Sequence, residues 1–253
     1  MISKSPLTPS SKTALLMRQL VAALCLVLLV DSPLMGATEI NIGVNNTVNT
    51  GKIVGGNCVQ GSNKLTTERM AVSSFTSIVV EGVFIVNVTC GEAAAVTVTA
   101  DDNLHSLISG KVKDSVLRLD TTGSYCTSNS FVADISLPEL ASLSVDGSSE
   151  LTLECKRSVG GRLAIDLRGA STMKAVGMVS QLQATVQGSS ELDAYELSAE
   201  TVTVNAGDAA SVRLTATRSL TGQAEGASTV SYRGQPKTVT VSVADAGECS
   251  PDE

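Results

Sequence analysis

The chain has 253 residues, with 18 Lys and Arg against 25 Asp and Glu, a formal net charge of −7 and a single His. That balance argues against nucleic acid or an anionic membrane surface as partner, since both demand clustered cations, and one His argues against a His-based metal site or a triad using that base. Apolar residues make up 43% but aromatics only 2%, with no Trp, so a core is affordable only from aliphatic side chains.

The first element is an export signal. Lys4, Lys12 and Arg18 precede an apolar run from Leu20 to Val30 that Asp31 ends. A basic segment followed by a short apolar one is the pattern of a secretory signal peptide, and the run falls short of the ~20 apolar residues of a membrane span. Met35-Gly36-Ala37 supplies small residues, so residues 1–37 are assigned as signal with cleavage after Ala37. Cys25 lies inside the apolar run and is no lipidation site. Cleavage removes three basic residues and one acidic, leaving a more acidic mature chain with no stable membrane span.

Residues 38–70, with Gly51, Gly55, Gly56 and Gly61, read as a Gly- and Asn-rich lead-in that covers the first repeat. Ile78, Val80, Val86 and Val88 alternate around Gly82, and Val96 and Val98, Val116 to Leu119, and Val132 and Ile135 read as further strands. Ala100 to Asn103 reads as a turn and Leu104 to Ile108 as a short helical turn.

From Ala141 a pattern recurs: an alternating apolar stretch, a small-residue bend, another alternating stretch. The second bend positions are 147, 169, 188, 208, 226 and 245, separated by 22, 19, 20, 18 and 19 residues. Four residues before them stand Leu143, Ile165, Ala184, Val204, Gly222 and Val241; four after stand Leu151, Met173, Leu192, Val212, Val230 and Cys249. Six before stand Ala141, Leu163, Leu182, Val202, Leu220 and Val239. Steps of two are strand periodicity with one face buried. Repeats this short cannot hold the four strands of a propeller blade, which takes ~40–45 residues. The expected fold is all-β, a right-handed parallel β-helix with rungs of about 18–22 residues stacked at ~4.8 Å, with a β-sandwich as the alternative. The β-helical domain spans residues 71–249, and 250–253 is a disordered tail.

Three segments resemble a known family. Phe75 to Gly91 resembles its opening motif, Pro138 to Ser148 its central one and Tyr232-Arg-Gly234-Gln-Pro236 its closing one, in the family's order. The family is the putative auto-transporter adhesin, head-GIN domain family. The resemblance covers roughly residues 58–247. It implies an exported protein with a β-helical domain and carries no catalytic residues to transfer. The bends depart from the family's frequent Gly-Ser-Gly-Asp, reading Gly-Ser-Ser-Glu or Gly-Ala-Ser-Thr here.

Chemistry is sparse. No G-x-S-x-G, phosphate-binding loop, dinucleotide fingerprint or H-E-x-x-H occurs. His105 is expected as a surface turn residue rather than a base, and Asp101-Asp102 as a turn rather than a cation site. The fifth bend position reads Glu150, Thr172, Glu191, Ser211, Thr229, Glu248 down the stack. Two carboxylates two rungs apart would stand about 9.6 Å apart, near the upper end for inverting glycosidases. Avoidance of like charges on adjacent rungs explains the alternation more simply. Asp146 beside Arg168 reads as an exposed charge pair. Asn45 and Asn87 match the glycosylation acceptor pattern, which matters only in a eukaryotic source; Asn87 lies within a strand, where chance explains the match. Cys58, Cys90, Cys126, Cys155 and Cys249 remain in the mature chain; disulfides fit an oxidising compartment, but an odd number leaves one thiol over and the pairing open. No residue is assigned a catalytic, cofactor-binding or metal-ligating role, and no cofactor is expected. The sequence predicts an exported, non-enzymatic scaffold of the periplasm, cell surface or exterior, engaged in adhesion or in binding an unknown surface protein or glycan. The alternative is a polysaccharide lyase or hydrolase using Glu150 and Glu191.

Overall fold

The structure, a computed structural model, describes residues 58–158 and 161–252. The expected signal segment, residues 1–37, and most of the expected lead-in lie outside those residues. Short strands β1 (Val59–Gln60) and β2 (Leu65–Met70) precede the first repeat layer, β3 (Ser77–Gly82) and β4 (Ile85–Cys90). Then come β5 (Ala95–Asp101), a 3-10 turn at His105–Leu107, β6 (Ile108–Lys113), β7 (Val116–Thr121), β8 (Tyr125–Cys126) and β9 (Val132–Leu137). The regular part follows: β10 (Ser142–Gly147), β11 (Glu150–Ser158), β12 (Arg162–Gly169), β13 (Thr172–Val186), β14 (Glu191–Ala206), β15 (Ser211–Ala224), β16 (Thr229–Arg233), β17 (Thr238–Val243) and β18 (Glu248–Pro251).

These strands build a parallel β-solenoid. One face runs β7, β3, β10, β12, the second half of β13, the second half of β14, the second half of β15, then β17. The other runs β9, β4, β11, then the first halves of β13, β14 and β15, then β16 and β18. All these pairings are parallel, so the sandwich alternative does not hold. The expected columns are the observed registers. Leu143 lies on Ile165, Ile165 on Ala184, Ala184 on Val204, Val204 on Gly222 and Gly222 on Val241. Across the bend, Leu151, Met173, Leu192, Val212, Val230 and Cys249 stack the same way. The early repeat is in register too, with Ile78 on Leu143 and Val86 on Leu151. Inward residues of these columns are buried, apart from the half-buried Gly222 and the last layer. Ala141 departs from its column: it is exposed, and buried Leu140 fills the position beside it.

Residues 95–137 form an insert between the first two layers of sequence. Its strands fold back on the end of the stack, where β5 joins β9 and β2, and β6 joins β7, all antiparallel. Two disulfides tie this end: Cys58–Cys126 and Cys90–Cys155. The second links neighbouring layers, with Cα atoms 4.7 Å apart, as the strand spacing allows. Cys249 is the thiol left over among the described cysteines, and burial raises its pKa.

Candidate functional site

The bends set the geometry of the surface. At the second bend position Gly147 lies in register with Gly82 and with Gly169. Its φ is +138°, and a Cβ there would meet the Gly82 carbonyl oxygen at 2.3 Å. Two residues on, Ser149, Ser171, Ser190 and Ser228 turn inward and are buried. Their hydroxyls work between layers. Ser149 Oγ donates to the Gly82 carbonyl at 3.1 Å and accepts from Phe84 N at 3.1 Å. Ser171 Oγ donates to the Gly147 carbonyl at 3.2 Å. The bend serines read from sequence only as small corner residues, yet they form a polar seam inside the wall.

The fifth bend column is real: Glu150, Thr172, Glu191, Ser211, Thr229 and Glu248 stack in register. Glu150 and Glu191 do not converge on one site. Arg213 Nη1 bonds Glu191 at 3.0 Å, whereas Glu150 lines an open cleft of about 470 Å³ that does not include Glu191.

That cleft is the strongest candidate site. Its floor is the buried Phe84 and Phe131 rings, 5.9 Å apart between centroids. Tyr125, half-buried, packs on Phe131 at 4.7 Å. Val83, Ser128, Ser130 and Ser148 add exposed side chains around it. Half of the chain's scarce aromatics meet here. The wall at 127–129 is held from below by Asp101, which is fully buried. Thr127 Oγ1 donates to one carboxylate oxygen, and Asn129 Nδ2 to the other at 2.9 Å. Gly61 packs against that carboxylate so closely that a Cβ would lie 2.3 Å from Oδ2. The Cys58–Cys126 disulfide and the β1–β8 pair hold the same segment. Sequence reading passed over residues 121–131. The available signal was a long run of Ser, Thr, Gly and Asn between two strands, and such loops carry function disproportionately.

Other sequence candidates prove structural. His105 is not a surface residue: its side chain is 8% exposed, and Nε2 lies 3.0 Å from the Thr66 carbonyl and 3.1 Å from Thr66 Oγ1, fastening β2 to the 3-10 turn. Asp101 ends β5, whereas Asp102 sits in the expected turn. There Asp102 accepts from Ser62 Oγ at 2.6 Å and pairs with Lys64 at 3.1 Å, which holds its pKa below the usual carboxylate value. Arg168 stands opposite Asp146 but pairs instead with Asp166 on its own strand, through Nε at 3.1 Å and Nη2 at 3.0 Å. The bidentate geometry two residues away on the same face outcompetes the single contact across layers. Asn87 Nδ2 donates to Asp134 at 2.8 Å in mid-strand; Asn45 lies outside the described residues. Among the described residues no three His, Cys, Asp or Glu are placed to hold a metal ion.

Both outer faces carry ion pairs, Lys174–Glu196 and Arg213–Glu191 on the face with β11 and β16, Arg118–Glu81 and Arg168–Asp166 on the other. On the other face, four successive layers place Gln181, Gln183 and Thr185, then Thr201, Thr203 and Asn205, then Ser219, Thr221 and Gln223, then Thr238, Thr240 and Ser242 in register. That array holds hydroxyls and amides and no charge.

The family's sequence profile, putative auto-transporter adhesin, head GIN domain, matches residues 74–236. The chain belongs to this family. A putative adhesin from Bacteroides fragilis shares the fold at 21% identity, with a TM-score of 0.63 over 77% of this chain and 100% of that one. A structure described as a putative lipid binding protein from Parabacteroides distasonis matches at 17% identity and a TM-score of 0.50, covering 77% and 99%. No curated protein matches the chain. The family's adhesin character points to a surface adhesion-type role, and two disulfides are compatible with an extracytoplasmic protein. Among the described residues no helix is long and apolar enough to cross a membrane.

Proposed function

We propose that this protein is an exported, non-enzymatic adhesion scaffold of the periplasm, cell surface or exterior, and that it binds a neutral glycan at the cleft beside the first bends. The observation that carries this reading is the cleft's mixed lining. Tyr125 and Val83 offer apolar surface for the C–H face of a sugar, Ser128, Ser130 and Ser148 offer hydroxyls, and Glu150 is an acceptor for sugar O–H groups. Its volume suits a small ligand rather than a polymer strand swallowed whole. An acidic protein repels polyanions, which favours neutral chains, and the uncharged array on the other outer face suits the same chemistry. A hydrolase reading has one carboxylate in the cleft where a pair is needed.

A glycan array followed by calorimetry on the neutral hits tests this. Tyr125→Ala is expected to weaken binding about five- to thirtyfold, by loss of roughly 1–2 kcal/mol of ring contact, with folding intact. Absence of any glycan binder, or affinity indifferent to Tyr125→Ala, would remove the reading. Turnover of a glycan by the parent that disappears in Glu150→Gln would establish the enzyme instead. Fatty acid and lipid vesicles in the same assay test the lipid alternative that the Parabacteroides relative raises.

A further inference from the structure

The two ends of the solenoid treat their strand edges differently. At the end built by the insert the outermost strands are β2 and β6. β2 carries Glu68 and Arg69, and β6 carries Lys111 and Lys113. Charges on an edge oppose pairing with another strand. At the far end the outermost strands among the described residues are β17, paired there only with β15, and β18, paired only with β16. β18 is short, begins with Glu248 and ends on Pro251, which has no N–H to offer. β17 has no such protection. It reads Thr-Val-Thr-Val-Ser-Val, without charge, Pro or Gly. Val239 and Val243 are 42% and 48% exposed, and Val241 between them packs on the core but is only partly buried. A bare edge of strong β-formers is a template for another strand.

We infer that β17 pairs antiparallel with β17 of a second copy, about a two-fold axis at Val241. Directly opposed residues in an antiparallel pair share a face, so inward residues must meet inward residues. Centring the axis on Val241 satisfies this for the whole strand. Val239 then opposes Val243 of the second copy, Val241 opposes itself and Thr240 opposes Ser242. Lys237 precedes the strand and Asp245 lies in the bend that follows it, so the two-fold brings each near the oppositely charged residue of the second copy. A slip of two residues either way leaves a valine without its partner. The valine match therefore selects one register, which the opposite charges at the strand ends favour. Such an interface uses the same patch on both copies and closes at two. Growth beyond the dimer is opposed by the charged edges at the other ends.

Sedimentation or light scattering of the whole chain at micromolar concentration should give a dimer. In a Cys249→Ser background, Val241→Cys should oxidise to a covalent dimer, because opposed Cα atoms ~4.5–5.5 Å apart lie within disulfide reach. Val239→Cys in the same background should not, since its own copy would lie four residues along the strand, ~13 Å away. Lys237→Glu, an exposed change, should weaken the dimer about tenfold while leaving the melting temperature unchanged. A monomeric parent, cross-linking at 239 as efficient as at 241, or a dimer indifferent to Lys237→Glu would overturn the inference.

Discussion

Single side chains show how strictly the wall separates inside from outside. Ile165 is 1% exposed, between Leu143 and Ala184. Ile165→Asp would bury a carboxylate with apolar neighbours above and below, and should destabilise the fold by roughly 3 kcal/mol or more. The matched outward change must avoid like charges on adjacent layers. Ser144 is a poor choice, because Asp166 stands directly opposite it. Asn205 has Thr185 and Gln223 as neighbours, so Asn205→Asp should cost less than about 1 kcal/mol. Urea denaturation of the two variants measures the contrast; equal midpoints would contradict the assigned register. On the β14 side of the stack Tyr195 Oη donates to Asp252 at 2.6 Å, and Arg233 lies over the Tyr195 ring at 4.1 Å and bonds Asp252 at 3.2 Å. The tyrosine hydrogen bond is the main cause holding the Asp252 pKa down, and burial raises that of Tyr195. Asp252 is thereby tied to β14 and β16.

The bend is the element that decides how closely layers approach. Gly82, Gly147, Gly169 and Gly188 stack in line, each with positive φ, and the buried serines two residues later bond to backbone of the neighbouring layer. A Cβ at Gly169 would meet the Gly147 carbonyl oxygen at 2.3 Å. Gly169→Ala should therefore cost about 1–3 kcal/mol for the backbone conformation alone, and more from the clash, read as a lowered thermal midpoint. An unchanged midpoint would show that the bends tolerate wider spacing than the strands do. The sequence period announces these bends, since small residues at steps of about twenty are legible without structure. The inward turn of the serines is not legible, because a hydroxyl in a bend serves solvent and backbone equally well until the neighbouring layer is placed.

At the scale of the whole molecule, the ends differ more than the middle. The insert end holds the cleft, both disulfides and the buried Asp101. The Cys58–Cys126 bridge closes a separation of 68 residues. Cys126→Ser should remove roughly 4 kcal/mol of stability by freeing that loop in the unfolded chain. It should also loosen the 121–131 wall, so glycan affinity should fall even below the melting transition. Retained affinity in that variant would show that Asp101 and the β1–β8 pair hold the wall without the bridge. The opposite end bears the unprotected β17 edge, and the layers between serve to keep cleft and edge on one rigid body.

Alternation at steps of two, repeated at about twenty residues, determined the solenoid, because each inward residue must meet a like residue one layer away. Leu143 on Ile165 on Ala184 follows from period alone. Local period says nothing about residues that break it. The 121–131 segment, the antiparallel insert strands, the pairing of Cys58 with Cys126 and Cys90 with Cys155, and the burial of His105 and Asp101 all depend on which chain-distant segments meet. Glu150 and Glu191 are alike in sequence and in column. Only the insert, folding back beside Glu150 and not beside Glu191, gives the first a cleft and leaves the second to Arg213.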